Sequence, residues 1–266
     1  MIDVQSRADE RGIALDRVGV TDLRYPIVVL DRARERQSTT ARITMSVSLP
    51  HHFKGTHMSR FIEVLNEHRG EVTMRTLPKL LGELRSRLDA ESARVELHFT
   101  YFLERVAPKS GARGLMDYEC SFVGEANATK EDFSVGVKVP VTSLCPCSKE
   151  ISDYGAHNQR GLISIDVRSA PPGGAGEPAL IWIEELIEIA EKSASAPVYA
   201  LLKRADERHV TMQAYENPVF VEDMVRNVAS ILRDDQRVSS FSVQALNYES
   251  IHNHSAFASV QWARPA

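Results

Sequence analysis

The chain has 266 residues, 43% hydrophobic and 26% charged, with a formal net charge of -4. That length can bury a sizeable core in one large domain or two small ones, and the slightly acidic balance argues against a nucleic-acid partner, which leaves a basic footprint. The polar start, Met1 to Asp9, does not read as a secretory signal, and no apolar run reaches the ~20 residues of a membrane span. The three cysteines, Cys120, Cys145 and Cys147, read as reduced thiols of a cytoplasmic protein.

In chain order, Val28 to Leu30 and Thr40 to Leu49 read as strands, the second alternating Ile43, Met45, Val47 and Leu49 with polar residues until Pro50 stops it. Two helical patterns follow, one through Met58, Phe61, Ile62 and Leu65, the other through Leu77, Leu80, Leu81, Leu84 and Leu88. Strand periodicity returns over Val95 to Leu103, with a partner opening at Tyr118, Cys120 and Phe122. The order then recurs: strands through Val135 to Val141 and Leu162 to Val167, a breaker-rich loop from Pro171 to Gly176, and a helix through Trp182, Leu186, Ile189 and Ala190 that breaks near Pro197. Asn217-Pro218 reads as the start of a helix whose buried face is Phe220, Met224, Val228 and Leu232. Strands around Phe241 to Tyr248 and Ser255 to Trp262 close the chain. Strand pairs alternating with helix pairs favour an α+β architecture with antiparallel sheets and helices on one face. Open edges in such sheets favour oligomerisation.

The densest chemistry lies in Thr142-Ser143-Leu144-Cys145-Pro146-Cys147-Ser148-Lys149 and in Gly155-Ala156-His157-Asn158-Gln159-Arg160. Two thiols two residues apart face one side if the chain stays extended, which Pro146 favours. With a nearby imidazole they suit zinc, iron or a similar divalent metal. A pair of buried, inert cysteines explains the spacing alone slightly better. Too few cysteines exist for a four-cysteine module, so a metal here would take ligands from elsewhere and could keep one position open. Between the last two strands, Glu249, His252 and His254 crowd into a short polar stretch that suits a reactive loop and a plain hairpin connection equally. Asp206-Glu207-Arg208-His209 reads as a solvated charged turn, and Glu222-Asp223 as acids favouring the first turns of a helix. Lys54 to Arg60 is a basic loop entering a helix start, a setting that suits phosphate but lacks the Walker spacing.

Taken together, Lys54 to Phe61, Thr142 to Lys149, Gly155 to Arg160, Ala214-Tyr215-Glu216-Asn217-Pro218 and Glu249 to Ser255 closely resemble GTP cyclohydrolase IB, almost from end to end. The resemblance implies a tunnelling fold of two tandem ββααββ units assembled as a homotetramer. The halves would be residues 1–130 and 131–266, the second carrying most of the metal-binding and catalytic residues. It also implies hydrolysis of GTP to 7,8-dihydroneopterin triphosphate and formate, for tetrahydrofolate synthesis. By position, Cys145, His157 and Glu207 match the ligands of a divalent ion (zinc, manganese or iron), and Cys147 matches a second thiol used in catalysis. Glu222 matches the carboxylate that anchors the guanine or pterin ring, and Glu249, His252 and His254 the acid–base set. Lys54, His57, Arg60, Lys149 and Arg160 are candidates for the triphosphate. Val210-Thr211-Met212-Gln213 is less acidic than the family pattern, and Pro171 to Gly176 reads as an insertion. The rival readings are an archaeal-type cyclohydrolase making a cyclic phosphate, a nitrile reductase using NADPH, and a non-enzymatic purine- or pterin-binding module with a structural metal.

Overall fold

A computed structural model describes residue 5, residues 7–68, residue 73, residues 76–170 and residues 180–265. The Pro171 to Gly176 loop lies outside the described residues. The elements run β1 (Leu15–Asp31), β2 (Glu35–Leu49), α1 (Met58–Glu67), α2 (Leu77–Leu88), β3 (Ala93–Val106), β4 (Arg113–Ala126) and β5 (Glu131–Leu144). There follow α3 (Pro146–Ile151), β6 (Asn158–Ser169), α4 (Ile183–Lys192), β7 (Ala196–Pro197), α5 (Arg204–Glu216), α6 (Val221–Asp234), β8 (Val238–Asn247) and β9 (Ala256–Ala263). The chain divides into two compact units, residues 1–100 with 121–134, and residues 101–120 with 135–266.

In the first unit β1 pairs with β2 and β2 with β3, both antiparallel. The alternation of Ile43, Met45 and Val47 along β2 buries those side chains, and α1 and α2 add Phe61, Val64, Leu65, Leu77, Leu80, Leu81 and Leu84 to the same core. Each fully buried leucine of that set contributes roughly 1.5–3 kcal/mol. Strand β1 is much longer than Val28 to Leu30 suggests, because its first twelve residues have no fully buried position and its register shifts twice against β2. An exposed, bulged strand carries no clean period-two signal.

The second unit holds antiparallel pairs β6–β8 and β8–β9, with β7 paired to β5. Helix α6 lies against β8 and β9 and buries Val221, Met224, Val225, Val228 and Leu232. Three expectations are corrected here. Helix α4 ends at Lys192, before Pro197: Ser193 Oγ donates to the Ile189 carbonyl at 2.8 Å, and Ser195 N then donates to Thr142 O at 3.0 Å, drawing the chain onto β5. Asp206 to His209 is the first part of α5 and not a solvated turn. Asp206 is fully buried and accepts from Lys203 N (2.8 Å), Lys109 N (2.7 Å), Ser110 N (2.8 Å) and Ser110 Oγ (2.6 Å). Asn217-Pro218 does not start α6, whose N-cap is Phe220; Asn217 ends α5, and its amide donates to Ala194 O at 3.0 Å.

Candidate active site

The site grows from the end of β5. Beyond Leu144 the chain stays extended for one residue, Cys145, and then turns into α3, with Pro146 at its first position. Proline there presets the helical φ and gives up an amide hydrogen that had no partner in any case. The two thiols therefore do not share one extended face: Cys145 is the N-cap and half-buried, while Cys147 sits on the helix, exposed. Ser148 ties the corner, its amide donating to Cys145 Sγ at 3.5 Å and its hydroxyl to Cys145 O at 3.1 Å.

His157 is brought alongside by the backbone. Cys145 N donates to His157 O at 3.1 Å, and His157 N donates to Ser148 Oγ at 3.2 Å. The imidazole Nδ1 lies 2.9 Å from Gln159 Oε1 and 3.9 Å from Glu249 Oε2. Gln159 Nε2 reaches Glu249 Oε1 and Ser143 Oγ, both at 3.5 Å. Ser143 is anchored in turn, donating to Val219 O at 3.2 Å and accepting from Asn247 Nδ2 at 3.0 Å. Gly161 makes room for that amide: a Cβ on Gly161 would stand 2.6 Å from Asn247 Oδ1. The result is a buried chain of polar side chains, Asn247, Ser143 and Gln159, ending on His157 and Glu249.

The other predicted residues surround this cluster less tightly. His252 and His254 stack with ring centroids 5.0 Å apart on the exposed turn after β8. Glu222 is exposed in the first turn of α6, and Glu207 is exposed in the first turn of α5. Among the described residues, no group of three His, Cys, Asp or Glu side chains is set to hold a metal ion, so Glu207 does not join Cys145 and His157 as a third ligand here. Those two supply the sulfur and nitrogen that a borderline divalent ion favours. Lys149 is engaged elsewhere, its Nζ 2.5 Å from Tyr215 O and over the Tyr215 ring. Arg160 is exposed. Lys54, His57 and Arg60 belong to the first unit, where His57 occupies the N-cap position of α1 without a side-chain capping bond and Arg60 donates to Arg87 O at 2.9 Å. A cleft of about 550 Å³ runs along α5, lined by Lys109, Arg208, His209, Met212, Gln213 and Glu216, and none of the predicted site residues lines it.

Sequence reasoning missed Gln159, Ser143 and Asn247 as members of the site. A signal was present. On β5, β6 and β8 the buried positions alternate, and at one end of each strand the apolar series gives way to a buried polar residue: Val139, Val141, then Ser143; Ile165, Ile163, Gly161, then Gln159; Val243, Ala245, then Asn247. Buried polar groups need partners, so three such positions are a reason to look for a network.

Comparison with known proteins agrees with these motifs. The family model for type I GTP cyclohydrolase FolE2 (GCHY-1) matches residues 1–258. The GTP cyclohydrolase FolE2 of Syntrophotalea carbinolica is 54% identical over 262 residues, covering 98% of this chain and 95% of that one. The GTP cyclohydrolase FolE2 of Geobacter sulfurreducens is 52% identical over 261 residues, covering 98% of each. Among solved structures, uricase from Arthrobacter globiformis superposes with a TM-score of 0.56 at 10% identity, covering 94% of this chain and 93% of that one. Urate oxidase from Bacillus subtilis gives 0.52 at 9% identity, covering 93% and 98%. These two likenesses concern the α+β fold alone. The match carries the FolE2 name where the motifs had suggested the label IB. The chain belongs to the type I GTP cyclohydrolase FolE2 family.

Proposed function

We propose that this chain hydrolyses GTP to 7,8-dihydroneopterin 3'-triphosphate and formate, the first step of folate and pterin synthesis. The observation that carries the reading is identity above one half, over nearly the whole chain, to relatives named GTP cyclohydrolase FolE2. The buried polar chain that ends on His157 and Glu249 gives the reading a physical site.

Cys145 and His157 would hold a divalent ion (zinc, manganese or iron), and Glu207, which stands apart from them in this structure, would have to move in to complete the set. The Gln159 contact at Nδ1 leaves Nε2 of His157 as the donor atom. Such an ion supplies the Lewis acidity that activates water near neutral pH. The chain's own residues do the rest. Glu222 receives the ring N–H and the exocyclic amine of guanine in two parallel hydrogen bonds. Glu249 and the exposed pair His252 and His254 move protons: one imidazole protonates the ring nitrogen that leaves C8, and Glu249 takes the proton of the entering water. A second hydration releases formate, and the opened ribose rearranges and recloses. Cys147, exposed at the start of α3, would serve as the second thiol of the reaction. Candidates for the triphosphate are Lys54, His57, Arg60, Lys149 and Arg160, some of them acting across a subunit interface of the tetramer; Lys149 and Arg60 would exchange their present carbonyl partners for phosphate oxygens.

The same reading includes a tunnelling fold of two tandem ββααββ halves, residues 1–130 and 131–266, in a cytoplasmic homotetramer. Among the described residues no helix is long and apolar enough to cross a membrane. Exposed Phe102, Val106, Leu115 and Phe257 offer the apolar surface that assembly would cover.

The test is incubation of anaerobically purified protein with GTP, apo and with manganese, iron or zinc, recording formate and product mass. Formate with dihydroneopterin triphosphate is expected. A cyclic phosphate product would indicate the archaeal-type reaction, and GTP binding with metal bound but no formate would reduce the chain to a binding module. Cys145→Ala and His157→Ala should each lose metal and turnover together; normal metal content and activity in either variant would remove that residue from the ligand set.

A further inference from the structure

Gln159 is 8% exposed at an inward position of β6, where the strand pattern otherwise places apolar side chains. Its amide contacts two groups that the proposed reaction needs. Oε1 lies 2.9 Å from His157 Nδ1, and Nε2 lies 3.5 Å from Glu249 Oε1. An ionised carboxylate only accepts hydrogen bonds, so the amide nitrogen must face Glu249 and the amide oxygen must face His157. An amide oxygen also only accepts, so the proton of the neutral imidazole sits on Nδ1 and the lone pair on Nε2. His157 Nδ1 and Glu249 Oε2 are themselves 3.9 Å apart, too far for a direct hydrogen bond, so Gln159 is the link between the two side chains. The amide cannot turn freely, because Nε2 also faces Ser143 Oγ, which Val219 O and Asn247 Nδ2 hold from the other side.

We infer that Gln159 is a positioning residue that sets, with one amide, both the ring tautomer of His157 and the orientation of Glu249. The inference rests on the functional reading above for the roles of those two residues. Outer contacts of this kind fix which imidazole nitrogen meets a metal, and losing one typically weakens metal affinity by about 10–100-fold. Gln159 goes further by tying the ligand to a proton-transfer group, so that the two cannot move independently.

Two substitutions of similar size separate this role from plain packing. Gln159→Met removes both hydrogen bonds. Gln159→Glu keeps an acceptor for His157 Nδ1–H but turns a second carboxylate towards Glu249. Three quantities are read: the His157 tautomer by nitrogen-15 NMR of the apo protein, the Kd for manganese or zinc by chelator competition, and kcat at saturating metal. Gln159→Met should give a mixed tautomer and a Kd weakened about 10–100-fold. Gln159→Glu should keep the Nδ1–H tautomer and a Kd near wild type while kcat falls at least about 10-fold. If Gln159→Met does not fold, the Gln159→Glu result alone decides. Wild-type tautomer and Kd in Gln159→Met, or parallel losses of Kd and kcat in Gln159→Glu, would overturn the inference. A wild-type protein that binds metal but releases no formate would overturn the functional reading, while tautomer and Kd would still decide whether Gln159 orients His157.

Discussion

Ser143→Ala tests the buried anchor beneath the site. Ser143 is 1% exposed, and its hydroxyl donates to Val219 O at 3.2 Å while accepting from Asn247 Nδ2 at 3.0 Å. Each bond contributes about 0.5–1.5 kcal/mol net, and a buried donor left without a partner costs about 1–3 kcal/mol more. Asn247 makes the second term matter, since it is 3% exposed and its Oδ1 has no protein partner, so losing Ser143 leaves both ends of the amide unpaired. These terms overlap, and the substitution should cost about 2–3 kcal/mol, a large share of the ~5–15 kcal/mol that holds a typical domain together. Urea unfolding of the apo protein would measure it as a lower midpoint with unchanged slope. Asn247→Ala and the double variant complete a cycle in which the double loss is smaller than the sum by about 1 kcal/mol. A Ser143→Ala unfolding free energy within about 0.5 kcal/mol of wild type, or strict additivity, would refute the network.

Two further outcomes follow from local geometry. Gly19 on β1 has no room for a side chain, since a Cβ would fall inside the Met45 carbonyl and 2.7 Å from Ser46 Cα. Gly19→Ala should therefore cost roughly 1–3 kcal/mol and speed amide exchange along the β1–β2 pair; unchanged exchange there would count against the register. At Asp206, burial opposes the charge, but the bonds from Ser110, Lys203 and Lys109 outweigh it and hold the carboxyl well below its ordinary range. A carboxyl depressed in the native state stabilises it fully above the unfolded pKa of about 3.9, and that contribution is lost as pH falls through the native value. The Tm advantage of wild type over Asp206→Asn should be largest near neutrality and shrink below pH about 4; an advantage that does not vary with pH would refute this assignment.

Most of the elements were legible in the sequence because their apolar period is clear. Leu77 to Leu88 repeats at helical spacing and is α2, while Ile43 to Leu49 alternates and lies in β2. The failures share a cause. Helix α5 has only Asp206 and Ala214 buried, so no apolar stripe announces it; its first turn is held by the Asp206 contacts to residues 109 and 110, which are distant in sequence. Pro197 reads as a helix break and Asn217 as a helix start, but the chain uses them to bridge to β5 and to hold the turn after α4.

The sequence by itself determined that the chain is a type I GTP cyclohydrolase of α+β class, and it named candidate site residues, because motif blocks and periodicity are local properties of the chain. Tertiary structure decided which of those residues meet. Strand alternation shows that Ser143, Gln159 and Asn247 point inward, but not that their strand ends coincide. That depends on register, which pairs Gly161 with Asn247 across β6 and β8, and on the corner at Cys145 that returns the chain to His157. Glu249 reaches Gln159 for the same reason: it sits just past the end of β8, whose pairing to β6 ends at the strand end that carries Gln159. Register is set by the whole buried face of a sheet, and a slip of one residue would turn every side chain to the other face.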